Sequence, residues 1–286
     1  MVLITGATGT NGRLVVEALL RAGVGVRAMV QDADKAAALA RAGACLVVAN
    51  FDERDTLDPA LDGVERCLLL SAVDRRLEER EARFLEAAKK AGVRHLVKFS
   101  AIGAHPAASF TFGRQHGRSE QLVIGSGVTF TFVRPNFFMQ NLLWSADTIK
   151  ARGELYGSLG ATPVSHVDAR DIASVLATTL IEPIERHAGR IHLVTGPAAL
   201  TFGQIADTLS RVVGRSVRYV DLTDDQMTAG LLASGQRQWE ATALVELNAY
   251  ARQGHASAVT DTVERLTGRP ARTLEHWAGD HVAAFR

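Results

Sequence analysis

Near the start of the chain Gly6, Gly9 and Gly12 stand at fixed spacing in the stretch Gly6-Ala-Thr-Gly9-Thr-Asn-Gly12. This G-x-x-G-x-x-G pattern follows a short β-branched run and opens a segment of helical periodicity. Glycine is required there for three reasons: the chain turns tightly out of a strand, a pyrophosphate approaches the backbone closely, and helix packs on strand. Free N–H groups and the positive end of the helix then hold the phosphates. After a strand, before a helix and within a βαβ unit, the loop reads as a dinucleotide site. About 20 residues further on, where such folds contact the adenosine ribose, stand Gln31, Asp32 and Lys35. An acid there would hydrogen-bond a ribose 2′-hydroxyl, and a cation would accept a 2′-phosphate. Asp32 is also placed to cap the next helix. Ser100 closes the fifth strand-like run, where doubly wound folds put ligands, and either binds a ligand or only ends the strand.

Other chemistries lack their residues. The nine histidines are scattered without close His, Cys or carboxylate spacing, so no metal centre is expected. There is no Gly-x-Ser-x-Gly elbow and no Walker loop. Cys45 and Cys67 each open an apolar run, CLVVAN and CLLLSA, that reads as a buried strand. In a doubly wound sheet those strands flank the first on opposite sides, so a disulfide is not expected. Both thiols read as small core hydrophobes, and a reducing cytoplasm fits.

The elements that must position these residues alternate regularly. Strand signals cover 2–5, 24–30, 45–49, 66–71, 93–100 and 128–133, separated by helical patterns over 14–22, 32–43, 55–62, 77–91 and 119–124. Such alternation means βαβ units and a parallel sheet. Further on, 137–150 and 167–180 read as helices, 190–194 as a strand, and the stretches 201–213, 217–220, 223–232, 238–254 and 258–267 as mainly helical. The fold class is α/β: a Rossmann-like doubly wound parallel sheet over 1–150, with a smaller, mainly helical substrate domain over 151–286 that returns some segments to the core.

Composition bounds the partners. The 286 residues are 47% hydrophobic and 22% charged, which excludes a disordered chain, and the formal net charge of +1 offers no basic excess for nucleic acid. No apolar run reaches about 18 residues, so no membrane span is expected. The amino end, MVLITGATG, lacks a charged n-region and does not read as a signal peptide. Oligomeric state is left open.

Five stretches, GATGTNG at 6–12, AGVRHLVKFSAIGA at 91–104, TFVRPNFFMQN at 131–141, SHVDARDIA at 165–173 and VERLTGRPARTLEHW at 263–277, carry a resemblance to a known family. The chain resembles the NmrA-like group of atypical short-chain dehydrogenase/reductases, in texture its quinone-reducing and triphenylmethane-reducing members. The resemblance implies an NADP(H)-binding Rossmann domain and a small substrate domain. Relatives usually place an arginine after the second strand to grip the 2′-phosphate. Here Gln31 stands there and Lys35 substitutes in part, so NADP(H) is favoured with NAD(H) possible. Relatives also carry Gly-Asp after the third strand; this chain has Ala49-Asn50-Phe51, leaving amide and ring edges to meet the adenine. The family's cofactor contacts map onto Thr8, Gly9, Thr10, Asn11 and Gly12 at the pyrophosphate. They continue through Ser71, Ala72 and Val73, then Ser100 and Ala101, with Asn136 and Phe137 near the nicotinamide.

The usual acid of these enzymes is missing. Ordinary short-chain dehydrogenases use Tyr-x-x-x-Lys, in which the lysine lowers the tyrosine pKa. This chain has three tyrosines (Tyr156, Tyr219, Tyr250), and the residues four before its five lysines are Gln31, Leu85, Glu86, Arg94 and Ala146. Relatives often have a histidine in the corresponding segment, which makes His116 the candidate to touch substrate or nicotinamide; the alternative is a partly exposed helix histidine without a chemical role. Quinones need no strong acid, because hydride addition gives a stabilised aromatic anion. Phe137, Phe138, Met139, Leu142, Leu143, Trp144, Met227 and Trp239 supply apolar surface for a flat ligand. The resemblance therefore implies an NAD(P)H-dependent oxidoreductase acting on a quinone or flat polycyclic aromatic. The competing readings are a non-enzymatic nucleotide-binding redox sensor, and a tailoring oxygenase or isomerase on the same fold.

Overall fold

A computed structural model describes all 286 residues of the chain. Strand β1 (Val2–Ile4) is buried along its length, and the glycine loop leads from it into α1 (Thr10–Arg21). Then follow β2 (Val26–Val30), α2 (Ala37–Arg41), β3 (Cys45–Val48), α3 (Leu57–Leu61), β4 (Arg66–Leu69) and α4 (Leu77–Lys90). The alternation continues through β5 (His95–Phe99), α5 (Thr111–Ser126), β6 (Phe130–Pro135), α6 (Ala146–Arg152), β7 (Glu154–Gly157), α7 (Ala169–Ile181) and β8 (Arg190–Val194). After α8 (Phe202–Val213) and β9 (Arg218–Asp221) the chain is helical: α9 (Asp224–Ala233), α10 (Gln238–Tyr250), α11 (Thr262–Thr267), α12 (Leu274–Asp280) and α13 (Val282–Phe285). No helix is long and apolar enough to cross a membrane.

Seven strands form one sheet in the order β3-β2-β1-β4-β5-β6-β8, and each neighbouring pair from β3 to β6 is parallel. Strand order reverses between β1 and β4, the point at which doubly wound sheets bind ligands beyond the strand ends. Local chemistry sets the helix stops. Both α1 and α4 run into a glycine with left-handed φ, Gly23 at 74° and Gly92 at 75°. The next residue in each case, Val24 or Val93, donates its N–H back to the carbonyl of Leu19 or Ala88, which satisfies end carbonyls that otherwise lack donors.

The chain divides into two compact units: Met1–Ala108, Gly113–Arg134 and Ala169–Leu193 in the first, and Ser109–Phe112, Pro135–Asp168 and Val194–Arg286 in the second. This differs from a partition at 150. Residues 135–150 go with the second unit because Met139, Leu142 and Ile149 share a core with Ile205, Leu209, Trp277 and Phe285. Helix α7 goes with the first because it packs along α1. The core of the first unit is built around Leu3, Leu57, Phe84, Leu96 and Phe132.

Four further expectations are revised. The helix over 137–150 is a 3-10 turn over Met139–Ser145 followed by α6. Its start is extended instead, because Val167 donates to the Phe137 carbonyl and Met139 to the Val167 carbonyl. The stretch 217–220, grouped with helices, lies in strand β9, which pairs in parallel with β7; four-residue strands carry no period of their own and form where a partner is available. Helix α5 runs over Thr111–Ser126 rather than 119–124. Its glycines hide it from propensity, and one is a packing residue: a Cβ on Gly117 would sit 2.1 Å from the backbone carbon of His105. Finally, Cys67 is buried as expected but Cys45 is exposed, because β3 is the edge of the sheet.

Phe84 is fully buried in the first core. Phe84→Ala is expected to destabilise the protein by about 3–5 kcal/mol in urea unfolding; a loss below about 1 kcal/mol would show that the site collapses around the cavity.

Candidate functional site

The glycine loop shows which of its glycines the protein itself requires. Gly6 has φ of 59°, and a Cβ there would lie 2.8 Å from the Leu70 carbonyl oxygen. A Cβ on Gly12 would lie 2.1 Å from the Gly6 carbonyl oxygen. Gly9 differs: its backbone is extended, with φ of −74° and ψ of 167°, and the nearest atom to a Cβ would be 3.4 Å away. Space there is left open rather than filled. Thr5 ties the loop to β4, its one hydroxyl proton shared between the Leu68 and Leu70 carbonyls while the oxygen accepts from the Leu70 N–H. Thr8, Gly9 and Thr10 are exposed, and α1 begins with no side-chain cap and no acid in its first turn. Asn11 adds a buried side-chain oxygen, Oδ1, without a partner. An uncapped helix end behind a glycine cradle suits a pyrophosphate.

Beyond β2, Gln31 is exposed. Asp32 caps the turn that follows, accepting from the N–H groups of Asp34 at 3.0 Å and Lys35 at 3.3 Å. The Lys35 amide, more than any other group, holds the Asp32 carboxyl below the usual range. The Lys35 ammonium lies 3.5 Å from Asp32 in open solvent, free to turn toward another anion. Beyond β3, the Asn50 side chain accepts from the Asp52 N–H, and the half-buried Phe51 ring packs 5.2 Å from that of Phe84. Asp52 is engaged by Arg76, Arg80 and Arg83, and the hydrogen bond from Arg80 pulls its carboxyl below the ordinary range.

At the ends of β4 and β5 two carboxylates lie in the interior, neither singled out by sequence reasoning. Glu81 of α4 is 2% exposed and accepts from Lys98, 0% exposed, at 2.5 Å. It also accepts from Ser71 at 2.7 Å and from Ser119. Glu120 of α5 accepts from Ser100 at 2.5 Å and is gripped by both Nε and Nη2 of Arg134. Buried charge persists only when paired and hydrogen-bonded, and both carboxylates meet that condition. The signal was present in Lys98-Phe-Ser100, since alternate strand residues share a face. Ala72 is exposed, and Val73 and Ala101 are half-buried in the adjoining loops.

His116 is buried rather than partly exposed, and its Nδ1 has no partner. Burial, reinforced by the charges of Lys98 and Arg134, holds its pKa well below the ordinary value, so the ring is neutral at physiological pH.

In the second unit Asn136 is buried and fully engaged: Nδ2 donates to Ser165 Oγ and the Ala256 carbonyl, and Oδ1 accepts from the Phe137 N–H. Phe137 meets the His166 ring edge-on at 5.7 Å. His166 bonds through Nδ1 to the Val164 carbonyl, and burial lowers its pKa to about 4. A cavity of about 180 Å³ is lined by Met139, His166, Leu200, Ile205 and Leu274. Among the residues read as pocket-lining, Met139 and Leu142 belong to the core, Phe138, Leu143 and Met227 are half-buried, and Trp144 is 65% exposed. Trp239 meets Phe112 edge-on at 6.0 Å. The Tyr156 and Tyr219 hydroxyls bond to Glu154 and Asp221, and Tyr250 stacks on Phe110.

The NmrA-like family model matches residues 1–274. An NAD(P)H azoreductase of Xenophilus azovorans is 41% identical over 285 residues, covering 100% of this chain and 99% of that protein. A (4-alkanoyl-5-oxo-2,5-dihydrofuran-3-yl)methyl phosphate reductase of Streptomyces griseus is 37% identical over 286 residues, covering 100% and 99%. The crystal structure of an Escherichia coli NADPH-dependent quinone oxidoreductase complexed with NADPH superposes with a TM-score of 0.89 at 28% identity, covering 99% of each chain.

Two outcomes follow from this geometry. Gly9→Ala is expected to keep wild-type melting behaviour while losing at least about tenfold in NADPH affinity, roughly the 1.4 kcal/mol of a blocked approach. Gly12→Ala is expected to destabilise the fold itself; calorimetry alongside thermal melts separates the two, and equal behaviour would contradict the distinction. The histidines set an acid limit. Burial, then Arg66 and His187, lowers His95 to about 4, and His166 is also near 4, against about 6.5 in an unfolded chain. The unfolded state therefore takes up protons that the folded state refuses, and stability present above pH 6.5 is lost as pH falls toward 4. Urea midpoints should drop from pH 7.5 to pH 5; a flat profile would contradict neutral burial of these rings.

Proposed function

The chain belongs to the NmrA-like family and is an NAD(P)H-dependent oxidoreductase; we propose that its acceptors are flat, conjugated electrophiles, quinones and azo arenes in particular. The observation that carries the reading is the uncapped amino end of α1 behind a glycine cradle with an open position at Gly9. Similarity along the full length to an azoreductase, and close superposition on a quinone reductase complexed with NADPH, support the acceptor class. NADP(H) is the favoured nucleotide.

When bound, the nicotinamide supplies a hydride. Thr8, Gly9, Thr10, Asn11 and Gly12 hold the pyrophosphate through backbone N–H groups and the positive end of α1. Gln31 and the exposed Lys35 ammonium would meet the 2′ position, while Asn50 and Phe51 would border the adenine. The half-buried Ser71 stands at the strand ends that would receive the other half of the dinucleotide, with Ser100 buried beneath. Half-buried aromatic surface at Phe137, Phe138 and Trp239 suits a flat acceptor.

Tyr-x-x-x-Lys is absent, His116 is neutral and enclosed, and the Ser100 proton rests on Glu120. That composition selects acceptors whose reduction needs no enzymic acid. A quinone that takes a hydride becomes a delocalised phenolate, and an azo bond becomes a stabilised nitrogen anion. Water then protonates either one. A simple ketone would give an alkoxide, for which the missing acid matters.

The test is stopped-flow oxidation of NADPH and NADH with benzoquinone, naphthoquinone, an azo dye and cyclohexanone. Turnover is expected with the first three and none with cyclohexanone. Nucleotide binding without turnover on any acceptor would reject the reductase reading in favour of a nucleotide-binding regulator.

A further inference from the structure

The cavity of about 180 Å³ lies wholly within the second unit. Met139, Val164, His166 and Ile205 on its wall are buried, whereas Pro197, Ala198 and Glu275 are exposed, so it opens to solvent on their side. Apolar side chains dominate the wall, and an apolar space of about 150 Å³ is already enough for benzene. His166 supplies a buried polar atom. Its Nδ1 lies 3.2 Å from the Val164 carbonyl, which can only accept, so Nδ1 carries the proton and Nε2 keeps a lone pair that no protein group uses. Burial lowers the pKa of the ring to about 4, so it is neutral near pH 7. Phe137, edge-on at 5.7 Å, and Phe202, at 5.8 Å, hold it in one orientation. Thr208 has its proton on the Gln204 carbonyl, and Glu275 adds a carboxylate at the mouth.

We infer that this cavity is a binding site for a neutral, single-ring arene carrying one hydrogen-bond donor, a phenol or an arylamine, whose O–H or N–H is accepted by His166 Nε2. The ring matches the size and apolar character of the wall. The donor satisfies a lone pair that burial has withdrawn from water, and a buried acceptor without a partner is costly. An arene carboxylate does not fit. It would lose its hydration on entering an apolar space, pass the Glu275 carboxylate at the mouth and meet a lone pair in place of a proton. The inference goes beyond the reductase reading, because it needs neither a nucleotide nor any residue of the first unit.

The test is an NMR titration of the full chain, without nucleotide, with phenol, aniline, toluene and benzoate, and circular dichroism as the check on folding. Phenol, aniline and toluene are expected to bind saturably and benzoate not at all. His166→Phe keeps a ring between Phe137 and Phe202, and the Val164 carbonyl still accepts from the N–H groups of residue 166 and Leu200. In that variant the ratio of phenol to toluene affinity should fall by about 3- to 10-fold, the net value of one hydrogen bond. Ala198→Trp, at the exposed mouth, should abolish saturable binding of both. Absence of saturable phenol binding to the wild type would overturn the inference, as would an unchanged ratio in His166→Phe or full binding in Ala198→Trp. Should His166→Phe fail to fold, the wild type still decides it: the His166 Nε2 nitrogen resonance should move on adding phenol and stay in place with toluene, and a resonance that phenol leaves unmoved sinks the assignment. Any of these failures leaves the reductase reading standing, since that reading is tested by nucleotide oxidation.

Discussion

The Gly6 carbonyl oxygen lies where a Cβ on Gly12 would be only 2.1 Å away, so β1 and α1 meet at a distance that only glycine permits. That close approach aims the amino end of α1 at the end of β1 and sets the helix down along α7. The sheet then orders itself outward from β1 in both directions. The absent cap and the absent acids in the first turn of α1 follow the same logic, since any anionic side chain there would compete for the groups a phosphate uses.

A second constraint is electrostatic. Glu81 and Lys98 have left water almost completely, a step that costs several kcal/mol per ion unless pairing and hydrogen bonds repay it. The protein meets that cost with two serines on Glu81, and with a two-pronged guanidinium and a serine on Glu120. Pairs of this kind are weak sources of stability but strong sources of geometry, because removing one partner strands the other. Placed behind the strand ends, they fix hydroxyl directions that exposed serines would sample freely. Their cations also bear on His116, whose pKa is held well below the ordinary value first by burial and then by the charges of Lys98 and Arg134.

The two units differ in how they use aromatic residues. In the first, Phe84 and Phe132 are fully buried, and the chemistry belongs to loops and carboxylates. In the second, Trp277 and Phe285 make the core, while Phe137, Phe138 and Trp239 remain half-buried. That half-buried aromatic surface is the apolar material the second unit leaves outside its core.

Much of this was legible in the sequence because it is local. The glycine spacing, the alternation of strands and helices, the helix stops at Gly23 and Gly92, the cap at Asp32 and the lack of Tyr-x-x-x-Lys all depend on residues within a few positions of one another. What the sequence could not determine depends on partners far along the chain. The β7–β9 pair joins segments some sixty residues apart in the register Glu154↔Arg218, and the extended start at Phe137 depends on a hydrogen bond from Val167. Cys45 is exposed because β3 is at the edge of the sheet, a fact of strand order and not of composition. The carboxylates are the clearest case. Glu81 and Glu120 read as ordinary helix acids among many, and only the tertiary structure brings Lys98, Arg134 and three serines against them, because pairing a buried charge is settled by three-dimensional proximity and not by spacing along the chain.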